Sequence, residues 1–269
     1  MMISVPCASA PSLIPLVAFL PEFREPASTW THLIGFFAAV AGTVALMART
    51  WRDPARLAVH LPFGFGMMAV YLASSAFHGV VGDKETINFY RRLDHCAIYL
   101  MIAGTNTPIY ATLFRGWFPR MVNGTVWAMA LGGIAVKLMS IDTPEWATVS
   151  IYIAMGWTGL AGYTQALSVL GPRPLMWVIA GGLFYTVGAL MDFLRIGNLV
   201  PGVWDSHATF HVMVLAGSVC FFIFVWRHIV DFRLTPSQDA APANATLPAA
   251  PPSPEAPPLR ANGVFAQSA

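Results

Sequence analysis

The sequence predicts an all-α membrane protein: a seven-transmembrane helix bundle carrying a separate C-terminal tail. Three observations carry that prediction. Hydrophobic residues fill 56% of the 269 positions and charged residues only 10%, against about 25% charged in a soluble domain. The apolar residues gather into seven runs of the length a bilayer demands, since about 30 Å of hydrocarbon takes about 20 residues of helix. The segments between the runs hold Arg, Asp, Pro and Gly, the residues expected between spans. This composition excludes a soluble globular enzyme, a disordered chain and a nucleic-acid binder with a basic face. The net charge of +2 points to no charged partner. Cys7, Cys96 and Cys220 are too few and too scattered for a disulfide framework or a Cys-based zinc module.

The spans are expected at 30–48, 57–80, 93–114, 122–141, 146–170, 175–194 and 207–226. Helix is required over open sheet because hydrocarbon leaves no water to satisfy a strand edge, and the runs lack the alternation of barrel strands. The first span closes on an Arg-rich loop with Pro54, and the second ends before 81–92. In the third, Gly104, Thr105 and Pro108 predict a bend and close packing rather than a cavity wall. The fourth is interrupted by Lys137, expected to pair with Asp192 of the sixth. The fifth is read as continuous. Trp30, Trp51, Trp117, Trp146, Trp177, Trp204 and Trp226 fall near span ends, as interfacial aromatics do.

Residues 1–29 form an N-terminal segment whose first ~20 residues are apolar but lack the basic start of a cleaved signal peptide. The transmembrane domain covers 30–232. Residues 233–269 are Pro- and Ala-rich with almost no large apolar side chains, and are expected to be disordered. No internal period suggests a solenoid or an inverted-repeat transporter.

Seven crossings fix which ends share a membrane face. His32 opens span one, His78 closes span two, His95 opens span three, and His207 and His211 open span seven, so all five lie on one side. Ser74, Asp94, Lys137, Asp192 and Arg195 fall toward that same side; His60 and His228 fall on the other. Ser74 with His78, and His207 with His211, are i, i+4 pairs, each sharing a helix face about 6 Å apart along the axis. Two imidazoles from one pair and a third from His78 suit a catalytic zinc, which takes three protein ligands and keeps one position open. Asp94, opening span three, can orient or deprotonate a metal-bound water, and Ser74 can hydrogen-bond it. Taken singly, Asp94 reads as a helix N-cap, Ser74 as a small residue at a helix contact and His78 as an interfacial polar group. Their convergence favours a site, because ionisable groups inside a membrane are costly. His95 points about 100° away from Asp94 around the helix, and His32 is read as structural.

The segments Thr31-His32-Leu33-Ile34-Gly35, Ser74-Ser75-Ala76-Phe77-His78, Leu93-Asp94-His95 running on to Ile102 through Pro108, and His207-Ala208-Thr209-Phe210-His211 with Leu215-Ala216-Gly217 resemble the hemolysin III family. That family is the bacterial branch of the progestin and adipoQ receptors, and the resemblance spans roughly residues 22 to 232. It implies seven helices, zinc held by His78, His207 and His211, and Asp94 and Ser74 contacting the zinc-bound water. It also implies a plasma-membrane location and, through related membrane enzymes, hydrolysis of lipid amides such as ceramides, making a membrane lipid the expected substrate. Two departures stand out. Ala208 occupies a position where the family often has Glu, which removes any H-E-x-x-H metalloprotease reading. Asn106 replaces a frequent aromatic.

Three functions follow as alternatives. The first is a zinc-dependent lipid amide hydrolase. The second is a receptor-like or membrane-homeostasis protein with structural zinc. The third is a pore or cytolysin, ranked last because a pore needs polar lining through the full membrane, whereas the ionisable groups here crowd one side. Lysine and arginine placement weakly favours a cytoplasmic C-terminus. The resemblance implies the reverse, with the N-terminus and zinc toward the cytoplasm, and that orientation is the one expected.

Overall fold

A computed structural model describes residues 23–140, 142–200 and 204–233. The tail and most of the N-terminal segment lie outside the described residues. The chain forms α1 (Pro26–Thr50), α2 (Pro54–Gly79), α3 (Lys84–Leu113), α4 (Trp117–Met139), α5 (Glu145–Trp157), a 3₁₀ segment (Thr158–Gly162), α6 (Tyr163–Leu170), α7 (Pro172–Phe193) and α8 (Ser206–Phe224), which runs into a π-helical turn (Val225–Ile229). With α5 and α6 counted as one interrupted crossing, these are the seven helices of the bundle. Among the described residues, five stretches are long and apolar enough to cross a membrane outright: Pro26–Thr50, Pro54–Gly79, Trp117–Met139, Pro172–Phe193 and Ser206–Ile229. Large apolar side chains such as Ile34, Phe37, Phe65 and Leu131 face outward, the surface that lipid requires.

Two spans differ from expectation, each for a local reason. α3 starts at Lys84, about two and a half turns early, because Asp83 caps it by accepting the Thr86 N–H at 2.8 Å. Its first turns carry Lys84, Glu85, Arg91 and Arg92, so its apolar stretch begins well after the helix does. Asp94 is therefore an interior residue of α3 and not its cap. The fifth span is broken where Gly156, Gly159 and Gly162 cluster; glycine weakens a helix by about 1 kcal/mol each relative to alanine. Tyr110 of α3 donates its hydroxyl to the freed Thr158 carbonyl at 2.8 Å.

Close packing of α2 on α3 sets the depth of the site. A Cβ at Gly104 would collide with the Pro62 carbonyl oxygen, and one at Gly66 would lie 2.9 Å from the Leu100 carbonyl oxygen. The two backbones thus touch, as small residues at membrane helix crossings allow, and the expected role of Gly104 is met. This contact brings the end of α2, with Ser74 and His78, beside Asp94. At the far end of the bundle, Arg49 donates to the Trp226 carbonyl and to Asp231, and Arg56 donates to the Val230 carbonyl at 3.0 Å. These bonds occupy carbonyls that the end of a helix leaves without partners. His60, bonded through Nδ1 to the Arg56 carbonyl, and His228 belong to that end, away from the other histidines.

Candidate metal centre

Helix α8 is positioned by its first turn. Asp205 caps it through the Ala208 N–H at 2.9 Å, and Asn198 accepts the Ser206 N–H at 2.8 Å. His207 and His211 then project from one face toward His78 at the end of α2.

Each of the three imidazoles is held from behind by an acceptor. His78 Nδ1 bonds Glu25 Oε2 at 2.6 Å, His207 Nδ1 bonds Asp192 Oδ2 at 2.9 Å, and His211 Nδ1 bonds the Ser28 carbonyl at 3.2 Å. A carboxylate or carbonyl can only accept, so each Nδ1 carries the proton and each Nε2 presents a lone pair. Those lone pairs converge: His207 Nε2 lies 3.2 Å from His78 Nε2 and 3.2 Å from His211 Nε2. With all three rings neutral no proton stands between them, and the lone pairs repel one another unless a cation lies between. Tetrahedral zinc, with bonds of about 2.0–2.1 Å, sets its nitrogen ligands about 3.3 Å apart. The donor set, the spacing and the fixed tautomers all fit a divalent metal ion. His78 and His211 are each 1% exposed, so the cluster sits at the bundle interior.

The sequence reading missed the groups that orient these rings. Glu25 lies ahead of the first apolar run, and no spacing rule links it to His78. Its backbone N–H also bonds the His78 carbonyl at 3.0 Å, and Arg24 donates to the Phe77 carbonyl at 2.8 Å, so the start of α1 is tied to the end of α2. The hydrogen bond from His78 holds the Glu25 carboxyl below the usual carboxylate range, with Arg24 adding to the effect. Asp192 was expected to pair with Lys137. Instead it bonds His207 and Ser206 and lies 3.8 Å from Arg195, while Lys137 donates to Thr143 and, at 3.0 Å, to Thr148. Polarity alone paired two costly residues; proximity assigns each a nearer partner.

Asp94 and Ser74 are both buried. Both line a cavity of about 440 Å³ together with His207 and His211. His32 lies flat on the His211 ring, with centroids 3.6 Å apart and planes at 9°, and meets Tyr71 edge-on at 5.1 Å. Neither His32 nitrogen has a hydrogen-bond partner, so its contribution is a packed wall behind the His211 ring. His95 lines the same cavity but is not part of the three-histidine group. Thr105 and Asn106 also face the cavity, so the middle of α3 is both a packing surface and a cavity wall.

The fold and the site together define a multi-pass, seven-helix membrane protein with a buried three-histidine cluster able to hold a metal. Sequence comparison agrees. Residues 22–222 match the haemolysin-III related family, and the chain belongs to it. It is 30% identical over 213 residues to Hemolysin-3 of Bacillus cereus, covering 77% of this chain and 92% of that protein. The Hemolysin-3 homolog of Bacillus subtilis is 29% identical, at 77% and 95% coverage. An adiponectin receptor protein of Drosophila melanogaster is 27% identical over 230 residues, covering 74% of this chain and 52% of that one.

Proposed function

We propose that this chain is a zinc-dependent hydrolase of lipid amides in the plasma membrane. The observation that supports it most is the convergence of three Nε2 lone pairs beside a buried carboxylate, at the wall of a largely apolar cavity. A zinc ion held by His78, His207 and His211 would supply a Lewis acid that polarises an amide carbonyl and makes water acidic near neutral pH. In this reading Asp94, in the same cavity wall, accepts the proton of the attacking water and returns it to the leaving amine. Ser74 steadies the Asp94 carboxylate, and Glu25, Asp192 and the Ser28 carbonyl keep the rings aimed. Ile98, Ile102 and Phe221, which line the cavity, give an acyl chain an apolar bed reaching from the reacting group.

The test is reconstitution of the purified, zinc-loaded chain with a panel of ceramides and other N-acyl lipids. Release of fatty acid is expected to fall about 100-fold or more in Asp94→Ala, the range for losing a general base. No release above that variant for any lipid would sink the reading. A receptor-like protein with structural zinc is the second reading, favoured by the likeness to an adiponectin receptor protein; it predicts loss of thermal stability on metal removal with no turnover at any stage.

A further inference from the structure

The cavity holds a second polar cluster that the chemistry above does not use. Lys137, in the last turn of α4, is 2% exposed, and its bonds run to two neutral hydroxyls, those of Thr143 and Thr148. Arg91 and His95 stand at i, i+4 on the cavity face of α3, where His95 Nδ1 is buried without a hydrogen-bond partner. All three line the same cavity. The cavity's remaining cation, Arg195, is matched: it lies 3.6 Å from Glu145 and 3.8 Å from Asp192. Asp94 faces Ser74 and the histidines. Among the described residues, neither Lys137 nor Arg91 forms an ion pair.

A buried ammonium in the same cavity wall as a guanidinium, neither with an ion-pair partner, is an expensive arrangement, and ionisable groups on membrane-spanning helices mark function by default. The donors left over are numerous. Lysine has three N–H groups and uses two, and arginine offers five in a planar fork. That supply suits an anion with several oxygens better than a two-oxygen carboxylate. Its depth also fits, since the last turn of α4 lies at the membrane edge, where lipid phosphates sit.

We propose that Lys137, Arg91 and His95 form an anion subsite in the cavity wall that holds the phosphate of a phospholipid, with its chains along the apolar part of the cavity. The subsite rests on the cavity and not on turnover; where the amide hydrolase reading holds, it narrows the substrates to N-acyl lipids that also carry a phosphate.

The experiment is calorimetric titration of the full-length, zinc-loaded chain in a phosphate-free maltoside detergent. The probes are dioctanoyl phosphatidic acid, dioctanoylglycerol and inorganic phosphate. Phosphatidic acid is expected to bind about tenfold or more tightly than either other probe, as charge-assisted hydrogen bonds dictate. Lys137→Met and Arg91→Gln are each expected to abolish that preference, whereas Arg120→Gln at the other end of α4 keeps it. Zinc content of each variant reports folding; should Lys137→Met fail to fold, Arg91→Gln and the three-probe comparison on the unmodified chain decide. Equal binding of phosphatidic acid and diacylglycerol overturns the proposal. So does unchanged phosphatidic acid affinity in both variants, the result expected if Lys137 merely pins α4 to α5. Inorganic phosphate binding as tightly as the lipid overturns the phospholipid assignment. Because binding is read without turnover, an inactive chain that prefers phosphatidic acid would sink the hydrolase reading and leave the subsite standing.

Discussion

The three imidazoles are placed by bonds that reach across the sequence, and this decides which substitutions matter. Removing a ligand is expected to empty the site: His211→Ala should carry close to no zinc by elemental analysis, against one equivalent for the unaltered chain. Removing an acceptor behind a ring should loosen the site without emptying it. Glu25→Ala is expected to weaken zinc binding about 10–100-fold, the usual effect of losing such a partner, measured by competition with a chelator of known affinity. Unchanged affinity would mean that the 2.6 Å bond from His78 to Glu25 does not orient the ring. This is also where sequence reading stops. The gathering of His78, His207 and His211 is legible because helical spacing and the parity of crossings act on single residues. Glu25 and Asp192 are not, because a pair separated by 53 or by 15 positions follows no periodicity.

Helix contacts set the second scale. Where α2 and α3 touch backbone to backbone, Gly104→Ala is expected to destabilise the bundle by about 1–3 kcal/mol, the cost of overpacking, seen as a lower thermal midpoint in detergent. Gly132→Ala serves as the contrast. A Cβ there meets nothing within 4 Å, so the midpoint should hold or rise slightly as helix propensity improves. Equal effects of the two would contradict the packing described. The number and order of the crossings can be read from hydropathy, because lipid imposes length and apolarity directly. The break after α5 cannot, since glycine is tolerated within a hydropathy window while it weakens the helix. The early start of α3 is likewise hidden, because its capping Asp83 precedes polar turns that extend beyond the apolar stretch.

For the molecule as a whole, metal and fold are expected to depend on each other. Without a cation the three lone pairs repel, so a membrane-permeant chelator should lower the thermal midpoint and added zinc should restore it; a midpoint indifferent to chelation would argue against a metal between these rings. Orientation belongs to the same scale. The metal face is expected toward the cytoplasm, so a reporter fused after Phe232 should read as exoplasmic, and a cytoplasmic signal would reverse the assignment. The fold class is legible in composition alone. Which face meets which compartment is not, because the lysines and arginines are nearly balanced between the two ends.

His78 and His207 are 129 residues apart, and the Ser28 carbonyl behind His211 lies 183 residues from it. A chain leaving the ribosome therefore carries its first imidazole into the bilayer long before the other two exist. A metal can be held by all three rings only after the final crossing, so a chain truncated ahead of it enters the membrane lacking two of the three imidazoles. A filled site is thus reached only by a chain whose insertion is complete.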